Sequence, residues 1–291
     1  QKNGEYLITG SQNFLMSEKI SQSLAGRVAI FNLLPFSIDE LKLGGFSFEN
    51  WEEYLLYGSF PRKWVNKIDS FDFYDNYIKT YIERDVRMIK NISNLDTFQK
   101  FIQLLAGRTG QLFNQNSLGN ELGLDNKTIN SWMNLLEASF IAFRLKPYYN
   151  NLNKRIIKTP KVYFYDTGLP AFLLGIRTVK DLELHFAKGQ LFENFIILEK
   201  IKQTLNTKGY DRYYFWRDAT GNEVDLLIER NQQLISIEIK SAKTIHSNFF
   251  KTLNNFKKNK PDTQSYLVYG GKEVQKRNNC TVLGFDNLNI I

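Results

Sequence analysis

Hydrophobic and polar residues alternate in two runs near the end of the chain, at positions 223–228 and 234–240. A repeat of two residues is typical of β-strands that bury one face. In the second run, Ile235, Ile237 and Ile239 share one face, and Ser236, Glu238 and Lys240 share the other. In the first run, Val224, Leu226 and Ile228 oppose Glu223 and Asp225. The pattern therefore predicts two strands with acidic side chains on one face.

The polar segment between these runs, residues 230–233, predicts a four-residue hairpin loop. Counting back from that loop places Glu229 opposite Leu234, Asp225 opposite Glu238, and Glu223 opposite Lys240. Directly paired residues point to the same side of a sheet, with Cβ atoms roughly 4.5–5.5 Å apart. The side chains of Asp225 and Glu238 are therefore expected to face each other.

The middle of the chain has a different period. Aromatic and aliphatic residues recur at helical spacings between positions 46 and 92, which predicts a helical segment. Further on, a short helix that ends near Gly123 and a longer helix over 127–140, capped by Asp125 or Asn126, predict a helix-turn-helix. The longer helix has one face that consists of Ile129, Trp132, Leu135, Leu136 and Ser139.

Two predicted strands, 141–148 and 161–166, flank a basic loop and make this unit a winged helix. If the unit binds DNA, the second helix presents Asn126, Lys127, Thr128, Asn130 and Ser131, and the basic loop brings Lys154, Arg155 and Lys158 to phosphates. The alternative is a protein-protein or interdomain module, a use to which winged helices are often put. We expect DNA contact ahead of that alternative.

Composition narrows the class of protein. The 291 residues exceed a single typical core, and hydrophobic residues at 43% argue against disorder, so two or three folded domains are expected. No apolar run approaches the roughly 18 residues of a membrane span. One cysteine and two histidines exclude a disulfide framework and argue against a zinc site, which makes the cytoplasm the expected compartment. A net charge of +8 is compatible with a polyanionic partner such as DNA.

The predicted pair of Asp225 and Glu238 calls for a compensating cation, because two adjacent carboxylates repel each other. Lys240 is one candidate, and Mg²⁺, which sits about 2.0–2.1 Å from its oxygen ligands, is another. Two plain alternatives remain open. The acids could belong to a solvated polar face of the sheet, or Lys240 could pair with Glu223 and leave Asp225 exposed.

An aspartate, a hairpin and then Glu-x-Lys is the arrangement of the PD-(D/E)XK nuclease superfamily, and residues 188–271 resemble it. A preceding amphipathic segment, 189–201, offers Glu193 as the superfamily's helix-borne acid, although an exposed helix acid is an equal alternative. The resemblance implies that Asp225, Glu238 and Glu193 bind one or two Mg²⁺ ions. It also implies that Lys240 orients or polarises the attacking water.

Short motifs outside the hairpin also resemble those of a known family. Residues 6–12, 23–37, 57–61, 81–85 and 161–168 look like a family of prokaryotic AAA-type ATPases with a C-terminal domain of unknown function, which combines a winged helix and a nuclease-like fold. The resemblance implies that Ser11 or Gln12 senses the γ-phosphate of ATP and that Arg27 stabilises charge on the transferring phosphoryl group. Ser11 and Gln12 could instead cap a helix, and Arg27 could pair with a carbonyl or an acid.

The phosphate-binding loop of such ATPases is missing from the sequence. The Gly271-Lys272 pair is followed by Glu273 rather than Ser or Thr, and no apolar run ending in Asp-Glu precedes Tyr6. We therefore expect the C-terminal portion of a longer protein, in which ATP is used only by the full-length parent.

Together these patterns predict a mixed α/β, multidomain protein. The expected domains are a remnant of the AAA ATPase core (1–45), a helical lid or connector (46–95), a winged helix (96–178) and a nuclease-like domain (179–291). The expected activity is Mg²⁺-dependent phosphodiester hydrolysis on DNA. The alternative is a non-catalytic nuclease-like module that binds DNA or a partner protein, and an oligomer is compatible with either.

Overall fold

Helices and a mixed β-sheet make up the structure, a computed structural model that describes residues 29–82, 94–148, 158–218, 220–277 and 279–291. The predicted α/β fold class is confirmed. Among the described residues, no helix is long and apolar enough to cross a membrane. Five predicted site residues lie outside the described residues, and these are Ser11, Gln12, Arg27, Lys154 and Arg155.

Short helices with side-chain caps form the first described region. Ser37 and Glu40 make a capping box at α1 (Ile38–Leu43). Asn50 caps α2 (Trp51–Tyr57) and Asp69 caps α4 (Ser70–Tyr77), while α3 (Pro61–Asn66) begins with a proline whose fixed φ suits that position. A π-helical turn, Ile78–Ile82, follows α4. Helix is therefore confirmed over much of the predicted segment 46–92.

The predicted order of helix, turn, helix and two strands is also present. After α5 (Leu95–Ala106) come α6 (Gln115–Leu122) and α7 (Asn126–Ala138), then β1 (Ala142–Pro147) and β2 (Lys161–Phe164). Gly123 ends α6 in a left-handed conformation with φ 68°, and the Asp125 side chain caps α7. These residues adopt the local structure that their types favour, and the winged-helix identity of the unit stays a prediction.

The sheet continues across the boundary predicted at residue 178. Its order is β2-β1-β3-β4-β5-β6-β8-β7, and β1 joins β3 in parallel through the pairs Lys146–Tyr214 and Pro147–Phe215. The remaining elements are α8 (Gly168–Leu173), α9 (Val179–Leu184), α10 (Lys188–Asn206), β3 (Arg212–Arg217), β4 (Glu223–Arg230), β5 (Gln233–Lys240), α11 (Lys251–Asn259), β6 (Gln264–Tyr269), β7 (Gln275–Lys276) and β8 (Thr281–Gly284). Strands from both predicted domains therefore share one sheet.

The β4–β5 hairpin has the predicted register but a shorter loop. Glu229 pairs with Leu234 as predicted, and Arg230 pairs with Gln233, so the predicted four-residue loop is wrong. Only two residues form the turn, Asn231 and Gln232, and both have positive φ (50° and 66°). Two left-handed residues make the tight turn that matches the twist of paired strands.

Both faces of this sheet are covered, which differs from the solvated polar face considered above. On one side α10 packs on β4 and β5, with Phe195 in the same core as Leu226 and Ile237. On the other side α11 supplies Phe256 to a second core that contains Leu227. As a result Asp225 is 8% exposed and Glu238 is 5% exposed.

A buried ionic network holds the N-terminal helices against α10. The two oxygens of Asp166 accept hydrogen bonds from the Tyr74 hydroxyl (2.5 Å) and the Ser59 backbone N–H (2.7 Å). Lys202 Nζ lies 3.1 Å from Ser59 Oγ and 2.9 Å from Glu199 Oε1. Because buried charges are costly without partners, this network fixes how the two regions meet.

Candidate functional site

Asp225, Glu238 and Lys240 meet at one end of the β4–β5 hairpin. Lys240 Nζ lies 2.6 Å from Glu238 Oε1 and 3.8 Å from Asp225 Oδ2. The same Asp225 oxygen accepts the backbone N–H of Ile239 at 2.7 Å. The three residues that the sequence placed together are therefore close in space, with the ammonium group bridging the two carboxylates.

An irregularity in β4 brings Asp225 to this position. The pairing of β3 with β4 shifts by one residue between Tyr214 and Trp216. The shift breaks the alternation, so that Val224 joins the core of Leu227 and not that of Leu226. The predicted common face of Val224 with Leu226 and Ile228 is therefore wrong. A bulge of this kind redirects a side chain out of the regular pleat.

The surroundings of the Glu238 carboxyl raise its pKa strongly. Burial, followed by the nearby Asp225 charge, raises its pKa from 4.5 to about 8, although Lys240 opposes the shift. Its Oε2 atom is buried without a hydrogen-bond partner among the described residues. The pKa of Lys240 is also raised, because Asp225 and Glu238 together outweigh the effect of its burial. The protonation states of Glu238 and Lys240 therefore depend on each other and on Asp225.

Glu193 reaches the site from α10 and is not the exposed helix acid considered as an alternative. Its Oε1 accepts hydrogen bonds from Lys161 Nζ at 3.0 Å and from the Tyr163 hydroxyl. Burial raises the Glu193 pKa to about 7; Lys161 lowers it, and the charge of Asp225 raises it further. Glu193 thus interacts electrostatically with the hairpin acids, while Lys161 and Tyr163 occupy one of its oxygens.

Lys161 and Tyr163 were not among the predicted site residues. Lys161 begins the predicted strand 161–166, directly after the basic loop, yet it is only 3% exposed and its Nζ also lies 2.5 Å from Glu223 Oε1. Burial lowers the pKa of Lys161, but Glu193 and Glu223 together raise it above its usual value. The sequence does carry a signal for Lys161 and Tyr163 as site residues. They alternate with apolar residues in a strand, as Asp225 and Glu238 do.

Glu223 has a partner other than the one the pairing count suggested. It forms ion pairs with Lys161 and, at 3.7 Å, with Arg217 Nη1, and it faces Arg217 in the β3–β4 pairing. Lys240 instead pairs with Glu238, and Asp225 is buried. The arrangement in which Lys240 pairs with Glu223 and leaves Asp225 exposed is therefore absent from the described residues.

The sequence predicts a divalent cation between Asp225 and Glu238. No group of three or more His, Cys, Asp or Glu side chains is placed to hold a metal within the described ranges. Mg²⁺ keeps several waters and is commonly bound through one or two carboxylates. Asp225 and Glu238 fit such a site, because one Glu238 oxygen is buried without a donor.

The predicted DNA-contacting residues on α7 are partly engaged within the protein. Asn130 Oδ1 accepts from Arg144 Nη1 at 2.9 Å, and Asn126 Nδ2 donates to Asn116 Oδ1 at 2.5 Å. Thr128 bonds to the Asp125 cap through its backbone N–H, and Ser131 also has a partner. Lys127 and Lys158 are exposed. The two lysines are therefore the predicted contacts that the fold presents most openly.

Three family models match successive parts of the chain. An AAA domain model matches residues 1–42, a domain of unknown function (DUF8612) matches 48–180, and another domain of unknown function (DUF4143) matches 188–288. The hairpin, α10 and their acids lie within the DUF4143 match. No solved structure matches the chain.

Curated relatives are uncharacterized proteins of bacteria and archaea. One from Mycobacterium tuberculosis is 30% identical over 241 residues, which is 82% of this chain and 53% of the relative. One from Methanocaldococcus jannaschii is 26% identical over 73% of this chain and 44% of the relative, and one from Haemophilus influenzae is 23% identical over 81% and 59%. The chain spans about half the length of these relatives. Together, the AAA-domain and DUF4143 matches fit a family of AAA-type ATPase-related proteins that carry a C-terminal domain of unknown function.

Proposed function

We propose that the region around the β4–β5 hairpin hydrolyses phosphodiester bonds of DNA with Mg²⁺ bound by Asp225 and Glu238. The observation that supports this most is the buried carboxylate pair with Lys240 beside it, 2.6 Å from Glu238 and 3.8 Å from Asp225. Buried like charges are unfavourable unless a cation offsets them, and strongly shifted pKa values cluster at functional sites. The ion pair with Lys240 uses only Oε1 of Glu238. Its Oε2 has no hydrogen-bond donor among the described residues, which a purely structural ion pair does not explain.

Each residue has a defined part in this proposal. Asp225 and Glu238 would hold the Mg²⁺, which would supply charge stabilisation for the phosphoryl group and help to activate water. Asp225 is held in place by the Ile239 N–H, so its orientation is fixed before substrate arrives. Glu238 must lose its proton before it can bind a cation. Lys240 places a positive charge beside the carboxylates, where it can orient the attacking water.

The chain incubated with nicked, branched and linear DNA in Mg²⁺ or Mn²⁺ should release cleaved products. Asp225→Asn and Glu238→Gln should each reduce cleavage at least 100-fold, because each removes a charged cation ligand. Glu229→Gln is the matched control, since Glu229 lies on the same hairpin, away from these acids, and pairs loosely with Arg212 at 3.8 Å. Cleavage that survives both site changes rejects the proposal.

A second candidate is a nuclease-like module that binds DNA or a protein without cutting. The contacts of Asn126 and Asn130 within the protein, and the occupied oxygen of Glu193, favour it. A binding titration against salt separates the two partner classes. DNA binding gives a steep negative dependence of affinity on salt, because phosphate contacts release counterions, whereas a flat response favours a protein partner.

We also propose that ATP hydrolysis is an activity of longer proteins such as the relatives, of which this chain spans about half, in line with the AAA domain match over residues 1–42. In such a longer protein Ser11, Gln12 and Arg27 would act in sensing or stabilising the nucleotide phosphates. Nucleotide binding by this chain and by such a longer protein should therefore differ. Equal, tight ATP binding by both would contradict this division of work.

A further inference from the structure

A cavity of about 450 Å³ opens beside the candidate site, where the turn before α6 approaches β2, β3 and β4. Its lining includes Arg108, Ser117, Lys161, Arg217 and Glu223. Lys161 connects the cavity with the acids, because the same ammonium group contacts Glu193. A molecule in this cavity would therefore lie next to the proposed centre of hydrolysis.

The cationic residues of the cavity differ in how fully their hydrogen-bond donors are used. Arg108 donates to the Leu104 carbonyl oxygen at 3.2 Å and forms an ion pair with Glu121. Lys161 is held between Glu193 and Glu223 and is almost fully buried. Arg108 and Lys161 both have partners within the protein. They therefore add positive charge to the cavity but offer few free hydrogen-bond donors.

Arg217 is the exception. Its Nη1 lies 3.7 Å from Glu223 Oε2, beyond hydrogen-bonding distance, and its Nε–H is buried without an acceptor among the described residues. A buried donor that makes no hydrogen bond costs free energy, so such a group usually has a partner. A guanidinium group presents donors in a planar fork that matches phosphate oxygens. The Arg217 side chain lines the cavity and is 36% exposed, so its outer nitrogens can meet an oxyanion there.

We propose that Arg217 binds a backbone phosphate of the DNA strand whose neighbouring phosphodiester reaches Asp225 and Glu238. This inference rests on the proposed function, since it takes DNA as the ligand. The site selects phosphate through the guanidinium group of Arg217, which has a long ion pair with Glu223 at 3.7 Å, and the charges of Arg108 and Lys161 lie nearby. It contributes to binding and positioning, and it requires no metal.

The test measures binding of a labelled DNA oligonucleotide over a range of salt concentrations in EDTA, so that hydrolysis plays no part. Arg217→Gln should weaken binding about tenfold and reduce the slope of log affinity against log salt by about 1, because one phosphate contact is lost. Arg217→Lys should keep the slope and bind less tightly, since it retains the charge without the fork. Arg212→Gln, at the exposed opposite end of β3, is the matched control and should bind like the parent.

Two further arms identify the ligand and separate this inference from the proposed function. Inorganic phosphate at millimolar concentration should compete weakly, and its binding as tightly as DNA would point to a free phosphate site and overturn the inference. Binding without cleavage by the parent would reject the proposed hydrolysis and leave the Arg217 site standing. Equal binding by folded Arg217→Gln and the parent, or no DNA binding at all, would overturn it.

Discussion

Replacing Glu238 with glutamine should remove part of the pH dependence of folding in metal-free protein. The pKa of Glu238 rises from 4.5 to about 8 on folding, because of burial and the Asp225 charge. The folded protein therefore keeps a proton that the unfolded chain releases at lower pH. Stability from this group is fully present below about pH 4.5 and is lost as the pH rises through about 8.

The size of the effect follows from the shift. Each pKa unit corresponds to about 1.36 kcal/mol, so a shift from 4.5 to about 8 means that ionising Glu238 in the folded state costs on the order of 5 kcal/mol. That is a large part of the roughly 5–15 kcal/mol that stabilises a typical domain. Glutamine has nearly the same shape and no proton to lose, so the variant should escape this cost.

Urea unfolding in EDTA between pH 4.5 and 9 measures the prediction. The free energy of unfolding of Glu238→Gln should approach that of the parent at pH 4.5, exceed it increasingly up to about pH 8, and stay higher without further change at pH 9. Glu229→Gln, on the same hairpin, should show no such trend. A constant difference between parent and Glu238→Gln over the whole range would refute the assignment of the raised pKa to Glu238.

Three further changes test other parts of the structure. Tyr163→Phe should raise the pKa of Glu193, because the Tyr163 hydrogen bond favours the ionised carboxylate; NMR titration of the Glu193 side chain would measure it, and an unchanged pKa would contradict the contact. Lys202→Met should lower the free energy of unfolding by about 3–5 kcal/mol in urea titrations, because it leaves the buried Glu199 unpaired. Gly110→Ala should cost about 1–2 kcal/mol by the same method, since Gly110 has φ 73° and an added Cβ would lie 3.3 Å from Gln190 Cβ.

Local pattern and chain order were enough to predict much of the hairpin. Alternation identified β4 and β5, and counting back from the turn gave the observed pairing of Glu229 with Leu234. Lys240, one of the two cations proposed to offset the acids, contacts both of them. The loop length was missed, because Asn231-Gln232 lacks the glycine that usually marks a two-residue turn.

The rest depends on residues distant in sequence. Nothing in the hairpin indicates that α10 and α11 cover both of its faces, and this double burial is what raises the pKa of Glu238. Lys161 contacts an acid 32 positions later in the chain, so local pattern could not assign its partner. The register shift that moves Val224 to the other core is visible only in the pairing of β4 with β3, where β4 carries one extra residue between the pairs Tyr214–Leu227 and Trp216–Val224.

The junction of β1 with β3 has a consequence for how the protein can be divided. A cut near residue 178 would strip the parallel partner from β3 and expose its unpaired N–H and C=O groups along one edge. Open strand edges of this kind recruit other chains and promote aggregation. Separate expression of the two halves should therefore yield insoluble fragments, whereas co-expression of both should restore a soluble complex. The two regions therefore form one folding unit. A recombination event near residue 178 would leave each half without a neighbouring strand of its sheet.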